Sequence, residues 1–241
     1  MSKSLKEMIQ ECDHIVFFGG AGVSTESDIP DFRSDNGIYK KQYKYPAEVM
    51  LSHSFYLRNT DEFFDFYFDQ MIYPDALPNR AHKALAKLEQ IGKLDAIVTQ
   101  NIDGLHQLAG SKKVYELHGS VLRNTCTHCH AHYNLEQTMA NRDEKGIPRC
   151  KECGSIIKPD VVLYEEGLDE GTLYRAVAAI QQADMMIVGG TSLAVYPAAG
   201  LLQYFKGKYL VLINKDSTPY DNNADLVIHD SIGKVLSEAI E

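Results

Sequence analysis

Short apolar runs recur along the chain at residues 14–18 (HIVFF), 94–99 (LDAIVT), 184–189 (DMMIVG) and 209–213 (YLVLI), with a last one at 226–228 (LVI). Each is nearly continuous and rich in branched residues, the pattern of a parallel strand buried on both faces. Between them, apolar residues return every three or four positions over 79–91, 170–182 and 197–205, which predicts helices. Strand alternating with helix predicts an α/β, doubly wound parallel sheet. A final helix is expected over residues 231–240 with Ser231 as its N-cap, and the first fourteen residues read as a short amphipathic helix.

Two stretches break the alternation. Residues 29–68 are aromatic and helix-like, without a strand; residues 123–158 are polar and hold four of the five cysteines. Both read as insertions, which divides the chain into a sheet domain (1–28, 75–122, 159–241) and a smaller inserted domain (29–74 and 123–158).

Candidate chemistry gathers at the strand ends. The run HIVFF leads into Gly19-Gly20-Ala21-Gly22-Val23-Ser24. Glycines there permit a tight turn and let backbone N–H groups approach a diphosphate, and strand–glycine turn–helix start is the context of a dinucleotide loop. The fingerprint is incomplete: its third glycine would fall at Thr25, and no acidic residue ends a second strand about 20 positions on. Alone, the loop does not separate a nucleotide site from an ordinary strand-to-helix turn. The segment after it, through Pro30 to Phe32 and Arg33, reads as a loop able to fold over a ligand, or as a surface loop with Phe32 packed on the core.

Similar features recur at other strand ends. DMMIVGG ends in Thr191-Ser192, and YLVLI ends at Asn214, small polar groups suited to ribose and adenine. Residues 94–99 are followed by Gln100-Asn101-Ile102-Asp103, whose amides and carboxylate are costly to bury without partners. His118, before Gly119, stands where a general base would, although a lone histidine also serves as a structural residue.

Composition narrows the classes. Lys and Arg number 24 against 33 Asp and Glu, a net charge of −9 that argues against direct nucleic-acid binding. No run reaches the roughly 18 apolar residues of a membrane span, and the N-terminus lacks the apolar core of a signal peptide, so a cytoplasmic protein without a membrane partner is expected. The cysteines are then reduced thiols or metal ligands. Cys126-x2-Cys129 and Cys150-x2-Cys153, 20 residues apart, have the spacing of a four-cysteine zinc ribbon, a closed and therefore structural site. Cys12 reads as a buried, inert thiol.

In order, GAGVSTESDIPDFR, TQNIDGLH, ELHGS, the two cysteine pairs, GTSLAVYPAA and LIN make the chain resemble the sirtuins, NAD-dependent protein deacylases, from about Phe17 to Asn214. The resemblance implies a Rossmann-like domain with a smaller zinc-binding domain, and a cleft between them for NAD and an acyl-lysine peptide or protein. It implies an acyl oxygen attacking the nicotinamide ribose, nicotinamide release, and passage of the acyl group to ADP-ribose. By resemblance His118 is the base and Asn101 organises the ribose; Ile102 and Asp103 bind the carboxamide, and Gln100 contacts the ribose. Gly20, Ala21, Gly22, Thr25, Phe32 and Arg33 match the cofactor loop. Thr191, Ser192, Asn214, Asp216 and the backbone around Ile232 match the adenosine half.

The family's substrate strand matches residues 161–166, with Val162 and Tyr164 as peptide contacts. The chain departs from the pattern at Leu163 and Tyr164, where phenylalanine is common, and at Asp28 and Glu165, where glycine is. Family branches that take acidic acyl groups carry Tyr and Arg three residues apart; here Tyr67 is followed by Gln70, so neutral acyl groups are expected. Mono-ADP-ribosyl transfer to protein shares the early steps and is the alternative activity; a monomer is the expected state.

Overall fold

The computed structural model describes residues 3–240, so Met1 and Ser2 of the expected first helix and Glu241 of the last domain segment lie outside the described residues. Among the described residues nine strands follow in chain order: β1 (Ile15–Gly19), β2 (Leu94–Thr99), β3 (Val114–Glu116), β4 (Gly119–Cys126), β5 (His132–Asn134), β6 (Ile157–Val161), β7 (Met185–Gly189), β8 (Tyr209–Ile213) and β9 (Leu226–Ile228). Six of them form one sheet in the order β3-β2-β1-β7-β8-β9, every neighbouring pair parallel. This is the Rossmann-like order, with its reversal between β1 and β7.

The helices are α1 (Leu5–Glu11), α2 (Ala47–Met50), α3 (His53–Arg58), α4 (Thr60–Gln70), α5 (Arg80–Gln90), α6 (Leu105–Leu108), α7 (Leu135–Ala140), α8 (Glu170–Gln182) and α9 (Ile232–Ile240). The period of two along buried strands builds two cores. Ile15 and Phe17 of β1 join Leu5, Leu85 and Leu236, so α1, α5 and α9 cover one face. Val16 and Phe18 join Ala176, Ile180 and Leu202 on the other. Each such side chain removed from water contributes roughly 1.5–3 kcal/mol. Among the described residues no helix is long and apolar enough to cross a membrane.

Two expected helix features differ. Over residues 197–205 the chain winds as a 3₁₀ helix, Ala198–Tyr204, rather than an α-helix. Its buried pairs Ala198/Leu201 and Ala199/Leu202 repeat every three residues, the spacing that a 3₁₀ turn stacks on one face. At α9, the Ser231 hydroxyl donates to Glu26 Oε1 at 2.7 Å. The same oxygen accepts from the Gly233 N–H at 2.9 Å, so a distant carboxylate satisfies that N–H of the first turn.

A second, antiparallel sheet has the order β5-β4-β6. With α2, α3 and α4 it encloses a third core around Phe55, Phe63, Phe64, Val121 and Leu163. We propose that this core marks a smaller domain made of residues 29–74 and 123–158, with β4 and β6 running across its borders into the sheet domain.

Candidate active site

The parallel sheet reverses its order where β1 ends at Gly19 and β7 at Gly189, and a cavity of about 1130 Å³ opens beyond these ends. The two loops there nearly touch: Gly22 N–H donates to Gly190 O at 2.8 Å, and a Cβ on Gly22 would lie 2.8 Å from Gly190 Cα. Gly190 itself has φ +60°. The strand is followed by two 3₁₀ turns, Ala21–Val23 and Thr25–Ser27, instead of an α-helix. Asp28 closes the second with φ 62°, the left-handed backbone that favours glycine and that Asp tolerates better than most.

The polar strand ends interlock behind this loop. Asn101 Nδ2 donates to Ser24 Oγ (3.0 Å), which donates to Asp103 Oδ2 (2.7 Å). Gln100 Nε2 donates to Thr191 Oγ1 (3.1 Å), and the Thr191 N–H donates to Asn214 Oδ1 (2.9 Å). Asn214 Nδ2 is buried without a partner among the described residues. A buried donor left idle is costly, so a ligand oxygen at this end of the cavity would satisfy it.

His118 sits on the turn between β3 and β4. Its Nδ1–H donates to the Gln100 carbonyl at 2.9 Å, which sets the tautomer and leaves Nε2 as the lone-pair nitrogen. Burial lowers its pKa below the ordinary imidazole value, opposed by that hydrogen bond, so the ring is a free base at neutral pH. The next residue has to be glycine: Gly119 has φ +76°, and a Cβ there would lie 1.9 Å from Asp160 O.

Regular pairing of β6 stops at Val161, one residue before the expected substrate contacts. The Val162 N–H donates to His118 O (3.0 Å), while Tyr164 gives its N–H to Leu51 O and accepts at its carbonyl from the His53 N–H, both 3.0 Å. Both backbone hydrogen-bonding groups of Tyr164 are therefore engaged within the chain, while the residue lines the cavity. Glu165 adopts φ 76° where the family favours glycine. Its carboxylate accepts from Ser54 N–H (2.8 Å) and Ser54 Oγ (2.9 Å) at the start of α3, an offset for the strained backbone.

Away from the cavity, Cys126, Cys129, Cys150 and Cys153 bring their sulfurs within 4.8 Å of one another. Cys126–Cys153 and Cys129–Cys150 are 3.4 and 3.5 Å apart, too long for disulfides. They are close to the edge of about 3.8 Å that a tetrahedron with Zn–S of about 2.3 Å would have. Four thiols in this arrangement fit zinc in a closed structural site. Cys12 is fully buried.

Gly20, Ala21, Gly22, Thr25, Phe32, Arg33, Gln100, Asn101, Ile102, Asp103, His118, Val162, Tyr164, Thr191, Ser192, Asn214, Asp216 and Ile232 all line the one cavity. Sequence reasoning missed Ser24, the hub between Asn101 and Asp103, although it lies inside the glycine motif. It also missed Asn79, which caps α5 and donates to Val23 O (2.8 Å) and Ser27 Oγ (3.0 Å), bracing the loop from below. A cap signal was visible at Asn79; its second role depends on the fold.

Strand order, glycine approach and the polar wall define an enzyme of the dinucleotide-binding α/β class with a separate cysteine metal site. The model of the Sir2 family matches residues 20–197, and the chain belongs to that family. An NAD-dependent protein deacetylase of Clostridium acetobutylicum is 63% identical over 238 residues, 98% of this chain and 96% of that protein. One of Clostridium perfringens is 60% identical over 240 residues, 98% and 97% of the two chains. Among solved structures, a Sir2 protein with a deacetylated peptide and 3′-O-acetyl ADP-ribose is similar at TM-score 0.90 and 38% identity, over 99% of this chain and all of that one. A Sir2–peptide–NAD+ structure has TM-score 0.85 and 37% identity, over 96% and 94%.

Proposed function

We infer that this protein is an NAD-dependent protein-lysine deacetylase that transfers the acyl group to ADP-ribose and releases nicotinamide. The observation that carries the chemistry is His118, a neutral base with one unengaged ring nitrogen, lining the cavity shared by the glycine loop, the polar strand ends and Tyr164. When bound, NAD supplies the glycosidic bond whose cleavage frees nicotinamide and makes ADP-ribose available as acyl acceptor.

Each group of residues has a part in that reaction. Gly20, Ala21, Gly22 and Thr25 hold the diphosphate with turn N–H groups. Thr191, Ser192, Asn214, Asp216 and the Ile232 backbone hold the adenosine half. Gln100, Asn101, Ile102 and Asp103 hold the nicotinamide carboxamide and its ribose, with Ser24 fixing the directions of Asn101 and Asp103. Fixed dipoles of this kind suit a transition state that develops positive charge on the sugar. Phe32 and Arg33 close over the site and exclude water. His118 Nε2 would then accept the proton of a ribose hydroxyl as that oxygen takes the acyl group and the lysine amine leaves. The four cysteines hold zinc as a staple for the smaller domain. Thiols kept for a metal need a reducing compartment, which supports a cytoplasmic setting.

Neutral acyl groups, acetyl first, are the expected substrates. Gln70 lines the cavity, and its Oε1 accepts from Lys41 Nζ (2.8 Å) and Tyr43 OH (2.7 Å). An amide so held lacks the bidentate cation that a succinyl carboxylate would need. Mass spectrometry of an acetyl-lysine peptide incubated with NAD should reveal free nicotinamide and a small acyl-ADP-ribose with wild type, and acyl-ADP-ribose formed roughly 10²–10⁴ times more slowly with His118→Ala. Label from NAD retained on protein would instead favour mono-ADP-ribosyl transfer. Faster turnover of succinyl- than acetyl-lysine peptide would overturn the acyl assignment.

A further inference from the structure

Two tyrosine hydroxyls, on segments far apart in sequence, meet across the mouth of the cavity. Tyr39 OH is hydrogen-bonded to Tyr164 OH, and both residues line the cavity. Tyr39 belongs to the 3₁₀ turn Ile38–Lys40, which is bound back onto the cofactor loop: Ile38 N–H donates to Asp31 O at 2.8 Å and Tyr39 N–H to Phe32 O at 2.9 Å. The Tyr39 ring packs tilted against Phe32 at 5.3 Å, and the Arg33 guanidinium lies over it, also at 5.3 Å. Wherever Tyr39 is held, Phe32 and Arg33 are held with it.

Tyr164 is anchored from the other side. Its backbone is bonded to Leu51 and His53, and the carboxylates of Glu165 and Glu166 hold Ser54 and His53. The hydroxyl pair is thus the polar link between a fixed substrate-side segment and the loop over the cofactor. Burial and the Tyr164 contact both raise the Tyr39 phenol's pKa, which keeps that phenol un-ionised at neutral pH.

We propose that Tyr39 and Tyr164 are positioning residues that couple the two substrates: an acyl-lysine peptide lying along Val162–Tyr164 restrains the side chain of Tyr164, whose backbone is already held, and the hydroxyl pair passes that restraint to Phe32 and Arg33, tightening the binding of NAD. By thermodynamic reciprocity NAD tightens the peptide by the same factor. The inference rests on the assignment of NAD to the glycine loop and of peptide to the Val162–Tyr164 segment.

The test is calorimetry with a carbocyclic NAD analogue that resists cleavage, with and without saturating acetyl-lysine peptide. The proteins are wild type, Tyr39→Phe, Tyr164→Phe and the double variant. The quantity read is the ratio of the analogue's Kd without peptide to that with it. Removing one net hydrogen bond of 0.5–1.5 kcal/mol should lower the ratio by about 2- to 12-fold in either single variant. The double variant should lose no more than the singles. Phenylalanine keeps the ring packing, so a role in stability alone would leave the ratio unchanged. A wild-type ratio retained in both single variants, or losses that multiply in the double, overturns the coupling while leaving the binding sites assigned. Failure of wild type to bind analogue or peptide overturns the site assignment and the coupling with it.

Discussion

His118 is a base because of what surrounds one ring nitrogen. The Gln100 carbonyl holds Nδ1–H, and burial disfavours the imidazolium. The proposed base must be neutral to act, and its pKa is depressed, so kcat/KM should hold as pH falls past about 6.5 and decline only below it. A profile of kcat/KM against pH checks this; an acid-limb midpoint above 6.5 would contradict it. His118→Ala should lower kcat/KM by roughly 10²–10⁴ with the fold intact. At the same scale, Asp28 and Glu165 explain two departures from the family pattern. Both have left-handed backbone, and Glu165 adds carboxylate hydrogen bonds that a glycine could not make.

Elements are fastened to one another through their ends. Asn79 starts α5 and also donates to Val23 O and Ser27 Oγ under the cofactor loop. Asn79→Ala should cost about 1–2 kcal/mol in denaturant unfolding and raise the KM for NAD, because it removes a cap and unseats the loop together. Glu26 ties that loop to α9, on which Ile232 faces the cavity. Glu26→Ala should therefore raise the NAD KM more than it lowers stability, since the bonds it loses are partly exposed. Equal effects of an Asn79 or Glu26 substitution on peptide and NAD affinity would argue against a loop-specific role.

Across the whole molecule, two features lie outside the cavity yet bear on the state of the fold. The four-cysteine cluster should carry about one zinc per chain by metal analysis. Chelation should lower the Tm and abolish activity together, because the ribbon's core apart from the cysteines is small. The second feature is the buried pair His82 and His106, with ring centroids 4.7 Å apart. Burial pushes both below the ordinary histidine pKa, His106 to about 3 with His82 adding to the shift. The unfolded chain takes up protons below about pH 6.5 that the folded one refuses, so stability is full above that pH and is lost as pH falls toward the folded values. The slope is at most about 1.4 kcal/mol per pH unit for each ring. His106→Leu should flatten unfolding free energy against pH between 4 and 6; an unchanged slope would place the acid sensitivity elsewhere.

Much of this was legible from sequence, and the reason is local. Buried parallel strands must read as short apolar runs, and each predicted strand of the large sheet formed, including 226–228. Groups that meet a ligand cluster at strand ends, which made the cavity residues recognisable as motifs. Cysteine spacing sets metal geometry over a few bonds, so the four ligands could be named without a fold. Tertiary structure alone decided what depends on distant segments meeting. It gave the N-terminus of α9 to Glu26, wound residues 198–204 as a 3₁₀ helix, and made Ser24 a hub. It also ended β6 pairing before Val162 and brought Tyr39 to Tyr164. No period or spacing encodes such pairings, because each partner's sequence neighbourhood is ordinary until packing places the two side by side.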